Sequence, residues 1–316
     1  MLETIGLFLL GLILLALGGD SIVKGAAGLG RRFGASPFVT GLLLVAFGTS
    51  LPELAVNARA VFAGQPALAL GNAVGSNIAN VGLTLGAAAF AAPLLVRWRA
   101  LSPLLLVLLV ATVTLIALGW DGTLSRLDGC VLLAAFVAVL AYTLARAHRE
   151  QPEVRAQIDA FASTRTDLAL NLVRVAIAIA LLYFGARWVV QSAPVLGLAL
   201  GMEPLLAGLL VVALGTALPE AAAAVAAARR GQGDLIAGHV IGSSLFNLLV
   251  VLGGMATLHE VAVPASFVRF ELPAALAFAL LLVPMLRGDL RVSRGEGAVL
   301  LLALLAWIAF EVLLMR

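Results

Sequence analysis

The hydrophobic residues of this 316-residue chain fall into ten long runs that short polar segments separate. A helix that crosses the hydrocarbon core of a bilayer needs about 20 predominantly apolar residues. Each run reaches about that length, so the pattern predicts an all-α membrane protein with ten transmembrane helices. The runs cover approximately residues 4–22, 36–62, 68–95, 101–119, 128–146, 168–190, 203–228, 235–257, 268–286 and 295–314.

Composition supports the membrane assignment. Hydrophobic residues make up 62% of the chain and charged residues 12%, and a soluble domain could not cover that much apolar surface in one core. The chain starts Met1-Leu2-Glu3 without the basic segment of a signal peptide, so we expect the first run to be a retained span. Cys130 is the only cysteine, which excludes an intramolecular disulfide and a cysteine-based metal site.

The basic residues predict an orientation in the membrane. When successive loops are assigned to alternate sides, 14 Lys and Arg residues fall on one side and three, Arg126, Arg269 and Arg316, on the other. The positive-inside rule then places the arginine-rich side in the cytoplasm and both termini outside. The basic pI of about 9.7 is explained by these loops, so we expect the partners to be a lipid bilayer and ions, with no nucleic acid. The small size suggests a prokaryotic plasma membrane.

The chain contains an internal repeat. Residues 41–86 align without a gap to residues 208–253, with 21 identities in 46 positions at an offset of 167. The repeats lie in two five-span halves, residues 1–145 and 168–316, which the polar segment 146–167 joins as a cytoplasmic linker. Because five is odd, the second half should enter the membrane in the opposite orientation. Such inverted repeats are typical of secondary transporters and place the substrate site near the midplane.

One glutamate recurs in both repeats, as Glu53 and Glu220, each within an apolar run. An ionised carboxylate at the bilayer centre costs about 2.5–3.5 kcal/mol on insertion scales. Residues 46–53 and 213–220 contain no Lys or Arg that could neutralise it. A bound cation is the simplest compensation, and a protonated or hydrogen-bonded structural glutamate is the alternative.

The residues before each glutamate supply further oxygen atoms. Pro52 and Pro219 each prevent one helical hydrogen bond and so free backbone carbonyls next to Thr49 and Thr216. Carbonyl, hydroxyl and carboxylate oxygens together suit Ca²⁺, which takes six to eight oxygen ligands. A helix kink without a ligand is the alternative for these prolines.

A second motif follows each glutamate motif. Ser76 and Asn80 are spaced i, i+4 on one helix face, as are Ser243 and Asn247. The asparagine amides need partners in lipid, whereas the serines could serve helix packing alone. His239 occupies the position of Asn72 in the first repeat, where we favour a packing or hydrogen-bonding role over a proton relay.

These motifs, GTSLPE at 48–53 and GNAVGSNIAN at 71–80 with their counterparts at 215–220 and 238–247, resemble the α-repeats of the cation/Ca²⁺ antiporter superfamily, which includes the sodium/calcium exchangers. The resemblance implies a central Ca²⁺ site made by the two motif glutamates and the backbone carbonyls of the motif threonines. It also implies flanking Na⁺ sites that use alanine carbonyls and serine oxygens, and a middle position with asparagines. The implied ligands are Glu53, Glu220, Thr49, Thr216, Ala46, Ala213, Ser50, Ser76, Ser243, Asn80 and Asn247.

Two positions depart from this pattern. Ala217 replaces a serine, and Asn247 stands where sodium/calcium exchangers often carry an aspartate. One Na⁺ site therefore loses an oxygen and the centre loses a negative charge, which favours fewer monovalent ions per cycle.

Together these features predict an antiporter that exchanges Ca²⁺ for Na⁺ or H⁺ by alternating access, without a resident cofactor. A cation channel, or an antiporter for another cation such as K⁺ or Mn²⁺, is the alternative. The chain has no HExxH or similar metal-hydrolase motif, so we expect a transporter and no enzyme. The sequence leaves the oligomeric state open.

Overall fold

The computed structural model describes residues 1–96, 98–146, 152–287 and 291–314. Of the basic positions that enter the charge count, Arg97, Arg149 and Arg316 lie outside these ranges.

The described residues form a helical bundle in two halves that follow the same order of elements. The first half contains α1 Leu2–Arg32, α2 Pro37–Ala46, α3 Leu51–Phe62, α4 Pro66–Ala79, α5 Gly86–Ala91, α6 Trp98–Leu118 and α7 Arg126–Arg146. The second half contains α9 Leu168–Ala199, α10 Pro204–Leu206, α11 Ala213–Ala228, α12 Gly233–Phe246, α13 Gly253–Leu258, α14 Leu272–Arg287 and α15 Arg294–Leu314. The linker forms one further helix, α8 Pro152–Phe161.

Irregular helical turns recur at equivalent places in the halves. A π-helical segment, Asn80–Leu85, joins α4 to α5, and a second one, Asn247–Leu252, joins α12 to α13 at the same offset of 167. Two other π-helical segments, Ala207–Val212 and Phe267–Glu271, precede α11 and α14. The first two π-helical segments thus occupy equivalent positions of the sequence repeat.

Within the described part of the chain, nine helical segments are long and apolar enough to cross a membrane. They correspond to nine of the ten predicted runs. The remaining run, 36–62, is divided into α2 and α3 by a 3-10 turn, Gly48–Ser50. Pro52 explains the break, because its ring lacks an N–H and would clash with the carbonyl of Gly48 in a continuous helix.

Burial separates central helices from peripheral ones. Of an 18-residue apolar stretch within each segment, 83% is buried in Pro66–Ala91 and 78% in Gly233–Leu258, but only 17% in Leu168–Ala199. The two equivalent second-motif helices therefore form the centre of the bundle. The outer helices expose large apolar side chains, as expected for a surface in contact with lipid.

Two small ribbons join the halves at their ends. Strand β1 Leu94–Leu95 pairs with β4 Arg291–Val292, and β2 Thr123–Leu124 pairs with β3 Val261–Ala262, both antiparallel. Each ribbon takes one strand from each half. Exchanging the two halves converts one ribbon into the other. The two ribbons are therefore related by an approximate twofold symmetry.

The described part of the linker, residues 152–167, contacts both halves. Helix α8 packs against α2 and α12, and a Cβ atom at Gly41 would approach the carbonyl oxygen of Ile158 to 2.6 Å. The Arg31 and Arg174 side chains donate hydrogen bonds to the backbone carbonyl and hydroxyl of Thr164, respectively. The linker is therefore fixed to both halves.

Close helix crossings at the centre depend on glycine. A Cβ atom at Gly71 would lie 2.0 Å from the carbonyl oxygen of Leu205, and one at Gly208 would lie 2.1 Å from that of Leu68. Small residues let membrane helices approach until their backbones touch. The central helix of the first half is thus in direct backbone contact with the second half.

Replacing Gly71 with alanine should therefore lower the thermal unfolding midpoint in detergent, since overpacking costs about 1–3 kcal/mol. Gly6→Ala is the matched control, because no atom lies within 4 Å of its Cβ position and alanine favours a helix by up to about 1 kcal/mol. An unchanged midpoint for Gly71→Ala would contradict this account of the crossing.

Candidate functional site

The glutamate motifs of the two halves come together at the centre of the bundle and line a cavity of about 360 Å³. The predicted ligands that do not line this cavity include Ser50, Ser76, Asn80, Ser243 and Asn247. The polar inner wall of the cavity comes from both halves, and apolar side chains of α1 close one side. The polar inner residues are Thr49, Glu53, Thr216, Glu220 and His239. The convergence that the repeat predicts for the glutamates is therefore present in the structure.

Glu53 lies in the first turn of α3 and is 2% exposed. The break at Gly48–Ser50 places this carboxylate at a helix N-terminus, where the helix dipole favours negative charge. The Thr216 hydroxyl lies beside the carboxylate, and Glu220 is close enough for its charge to act on it. The Oε2 atom of Glu53 is buried without a hydrogen-bond partner.

Glu220 lies within α11 and its side chain is 15% exposed. Its Oε2 atom lies 3.5 Å from Nε2 of His239, while its Oε1 atom is buried without a hydrogen-bond partner. Both glutamates thus present one unpaired oxygen. An unpaired buried carboxylate oxygen is costly unless a cation or a donor satisfies it.

His239 links the two glutamate motifs. Its Nδ1 atom lies 2.9 Å from the hydroxyl oxygen of Thr49, and its Nε2 atom faces Glu220. A histidine at this position therefore connects the first-half threonine to the second-half glutamate. The sequence drew attention to this position because a histidine stands where the first repeat has an asparagine. Its hydrogen bonds are of the kind that we expected when we favoured a packing or hydrogen-bonding role.

One flank of the site contains a serine pair. Ser50 donates a hydrogen bond to Ser243 between hydroxyl oxygens 2.7 Å apart, and the Asn80 amide donates to Ser243 at 3.1 Å. At the equivalent positions on the opposite flank, the two residues are Ala217 and Ser76. Because alanine has no hydroxyl, Ser76 Oγ is buried without a hydrogen-bond partner.

Asparagines connect the halves at the middle of the site. Asn77, which the sequence did not mark as a ligand, accepts a hydrogen bond from the Asn247 amide at 3.1 Å and donates to the carbonyl of Ser244 at 3.1 Å. The Oδ1 atoms of Asn80 and Asn247 are buried without partners. Asn77 thus holds the amide group of Asn247 so that its carbonyl oxygen remains available.

The two predicted alanine ligands lie at helix ends. Ala46 is the last residue of α2, and Ala213 is the first residue of α11, which follows a π-helical segment. The carbonyl of Ala213 accepts a hydrogen bond from the Thr216 hydroxyl at 3.2 Å. The predicted ligands are therefore all in or next to the motif segments, and five of them carry a buried oxygen without a partner: Glu53, Glu220, Ser76, Asn80 and Asn247.

The donor set suits a hard cation. Carboxylate, amide and hydroxyl oxygens are the ligands of Ca²⁺, Mg²⁺ and similar ions, and the unpaired carboxylate oxygens belong to Glu53 and Glu220, which both line the cavity. The described residues contain no group of three or more His, Cys, Asp and Glu side chains that could hold a metal ion. A cation here would therefore depend on neutral oxygens in addition to the two glutamates.

The outer part of the cavity is lined by Asp20, Phe161, Arg230 and Gln232. Arg230 and Phe161 belong to the segments that the charge pattern assigns to the cytoplasm. Phe161 is the last residue of α8, so the linker helix contributes to the mouth of the cavity. Asp20 forms an ion pair with Lys24 at 2.7 Å.

Comparison with known proteins adds independent findings. The family model described as "Sodium/calcium exchanger protein" matches residues 3–145 and 170–313. The chain is 35% identical to the inner membrane protein YrbG of Escherichia coli over 320 residues, which covers 98% of this chain and 97% of YrbG. It is 28% identical to the sodium/calcium exchanger MaX1 of Methanosarcina acetivorans over 337 residues, 96% of each chain.

A solved structure has the same fold. The sodium–calcium exchanger NCX_Mj, soaked with Na⁺ and Sr²⁺, superposes with a TM-score of 0.68 at 32% sequence identity, and the match covers 98% of both chains. The matched regions include both halves and every residue of the site.

If the unpaired oxygens hold a cation, Ca²⁺ should raise the thermal unfolding midpoint of the purified protein. Saturation at about 100 times the dissociation constant stabilises a folded state by about 2.7 kcal/mol. Glu53→Gln and Glu220→Gln should each remove most of this shift, whereas Glu203→Gln, an exposed residue outside the cavity, should retain it. An equal Ca²⁺ shift in all four proteins would place the ion elsewhere.

Proposed function

The chain belongs to the sodium/calcium exchanger family, and on this premise we propose that it is a secondary antiporter that exchanges Ca²⁺ for Na⁺ or H⁺ across a prokaryotic plasma membrane. One observation carries the proposal. Two glutamates from equivalent positions of the halves meet in an apolar interior, and each has a buried oxygen without a partner. A divalent cation would neutralise both carboxylates together.

The proposed Ca²⁺ ligands are the carboxylates of Glu53 and Glu220 and the backbone carbonyls of Thr49 and Thr216. Ca²⁺ accepts six to eight oxygens in flexible geometry. Two bidentate carboxylates and two carbonyls provide six. The irregular backbone around Thr49 supports this assignment, since a 3-10 turn before Pro52 leaves carbonyls outside the regular α-helical ladder.

The proposed counter-ion sites lie on the flanks. Ser50, Ser243 and the Ala46 carbonyl form one, and Ser76 with the Ala213 carbonyl forms the other, while Asn80 and Asn247 lie between them. Counter-ions at these positions use the same glutamates as Ca²⁺. Because occupancy by one ion type weakens binding of the other, the two ions are carried in opposite directions.

Alternating access follows from the proposed inverted architecture of two five-helix halves around one site. The cavity reaches the site from the side that includes Arg230 and Phe161, which we assign to the cytoplasm by the positive-inside rule. On this assignment both termini are outside. The ten spans of the proposal count α2 and α3 as one broken helix, as carriers often have at their binding sites.

Proteoliposomes give the direct test. We expect radioactive Ca²⁺ to accumulate when an outward Na⁺ or H⁺ gradient is imposed, and we expect Glu53→Gln and Glu220→Gln to abolish the uptake. The two gradients, applied separately, identify the counter-ion. Glu203→Gln serves as the control and should transport normally.

Three outcomes would contradict the proposal. Ca²⁺ flux that no opposing gradient accelerates, and that does not saturate, would indicate a channel. Absence of uptake under both gradients would indicate another cation. Normal uptake by both glutamate variants would show that the site is misplaced.

The two flanks of the site differ, and this difference predicts how substitutions there should change the Na⁺ dependence of transport. In Ala217→Ser, the new hydroxyl should bond to Ser76 as Ser50 bonds to Ser243, and Asn247→Asp should add a negative charge at the centre. The double variant should therefore show a stronger dependence of Ca²⁺ uptake on Na⁺ than the wild type. Ala228→Ser, which is buried at the end of the same helix, is the matched control. Unchanged Na⁺ dependence in the double variant would refute this reading of the flank.

A further inference from the structure

Three acidic side chains are fully buried within the described part of the chain: Glu53, Glu271 and Glu311, with 1–2% exposure. The first belongs to the proposed cation site. The other two do not line the cavity, and the exchange mechanism makes no use of them. A carboxyl group within a membrane-spanning helix is costly unless it binds something, so this pair requires its own explanation.

The pair lies at the opposite end of the bundle from the cavity mouth. Gln232 lines the mouth, and the helical segment Gly233–Leu258 carries the chain across the bundle to its other end. There, Glu271 ends the π-helical segment that precedes α14, and Glu311 lies in the last turn of α15. The two carboxyl groups therefore form a separate cluster.

The carboxyl groups of Glu271 and Glu311 are close enough for their charges to repel each other. Both oxygens of Glu311 and the Oε2 atom of Glu271 are buried without a well-formed hydrogen bond. The Trp307 indole lies beside the Glu311 carboxyl, and its N–H is also buried without such a bond. The Ser266 hydroxyl lies beside Glu271.

Basic side chains do not face this cluster from the neighbouring elements. Helices α14 and α15 pack against α4, α5, α6 and the segment Asn80–Leu85, and residues 66–91 and 101–118 contain no titratable side chain. On the pair's own elements, Arg269 is exposed. Arg99 lies in the first turn of α6, Arg287 ends α14, Arg291 lies in β4 and Arg294 begins α15, all at the end of the bundle where β1 pairs with β4. Among the described side chains of these elements, no cation is therefore in place to neutralise two charges.

We propose that Glu271 and Glu311 form a second, proton-binding site, in which the two carboxyl groups share one proton between α14 and α15. Two adjacent carboxylates cannot both remain charged at low cost in an apolar interior. One shared proton leaves a single negative charge, which accepts hydrogen bonds from the protonated partner and from the Trp307 N–H. A Ca²⁺ ion would need more oxygens than two carboxylates and Ser266 supply.

The first test uses the unmodified protein in proteoliposomes and an apolar carbodiimide, which reacts with protonated carboxyl groups. The O–H adds across one N=C bond of the reagent, the proton moves to nitrogen, and rearrangement leaves a stable N-acylurea on the carboxyl carbon. Peptide mass spectrometry should find the label on Glu271 or Glu311 at neutral pH and less label as pH rises. Glu3 and Glu203, which are exposed, should remain unlabelled. Absence of label on both members of the pair would overturn the proposal.

The second test is infrared difference spectroscopy between neutral and alkaline buffer, in which exposed carboxyl groups are ionised throughout, in a Glu53→Gln/Glu220→Gln background. This background inactivates the proposed exchange site, so the result is independent of the proposed function. A protonated-carboxyl C=O band should be present in the background and lost when Glu271→Gln and Glu311→Gln are added together. Adding Glu3→Gln and Glu203→Gln instead should leave it.

Persistence of the band without Glu271 and Glu311 would overturn the proposal. So would loss of the band on addition of Ca²⁺ or Mn²⁺ to the background protein, because a metal ion would then compete for the same oxygens.

Discussion

The structure depends on one electrostatic constraint: two carboxylates, Glu53 and Glu220, lie close together in an interior that apolar helices otherwise fill. Each would cost about 2.5–3.5 kcal/mol at the centre of a bilayer without compensation. The surrounding groups are arranged to lower this cost only in part. A helix N-terminus faces Glu53 and a histidine faces Glu220, yet one oxygen of each carboxylate has no partner. A bound cation would supply the remaining stabilisation. On the proposed function, this incomplete compensation by the protein lets the site bind a cation and still release it.

The approximate twofold symmetry builds this centre, and its exceptions give the two sides different properties. Ser50 bonds to Ser243, but Ala217 leaves Ser76 without a partner. His239 bonds to Thr49 of the other half and also contacts Glu220 of its own half. Its first-half counterpart, Asn72, bonds only to Asn57 within its own half. On the proposed function, such differences would let one flank bind a counter-ion more weakly than the other.

The central helices are more deeply buried than the peripheral ones. The central segments are about four-fifths buried, and glycines place their backbones in direct contact across the halves. The long helices α1 and α9 pack along each other at the periphery, and α1 borders the cavity through Leu12, Leu15 and Asp20. On the proposed function, an interface of this kind suits the helix movements of alternating access.

The sequence by itself determined the membrane class and the internal repeat, because apolar run length and an ungapped repeat are properties of the chain alone, and it predicted a set of site residues. It marked Glu53 and Glu220 since a charge in a long apolar run needs an explanation wherever the chain folds. Only the tertiary structure decided that one GTSLPE-like motif breaks its helix and the other stays within a continuous helix, since the same proline is accommodated differently by different neighbours. Tertiary structure likewise decided that Asn77 orients Asn247, that Ser76 has no partner, and that Glu271 lies close enough to Glu311 for their charges to interact. Those contacts join residues 40 to 170 positions apart, and local sequence carries no information about such distant neighbours.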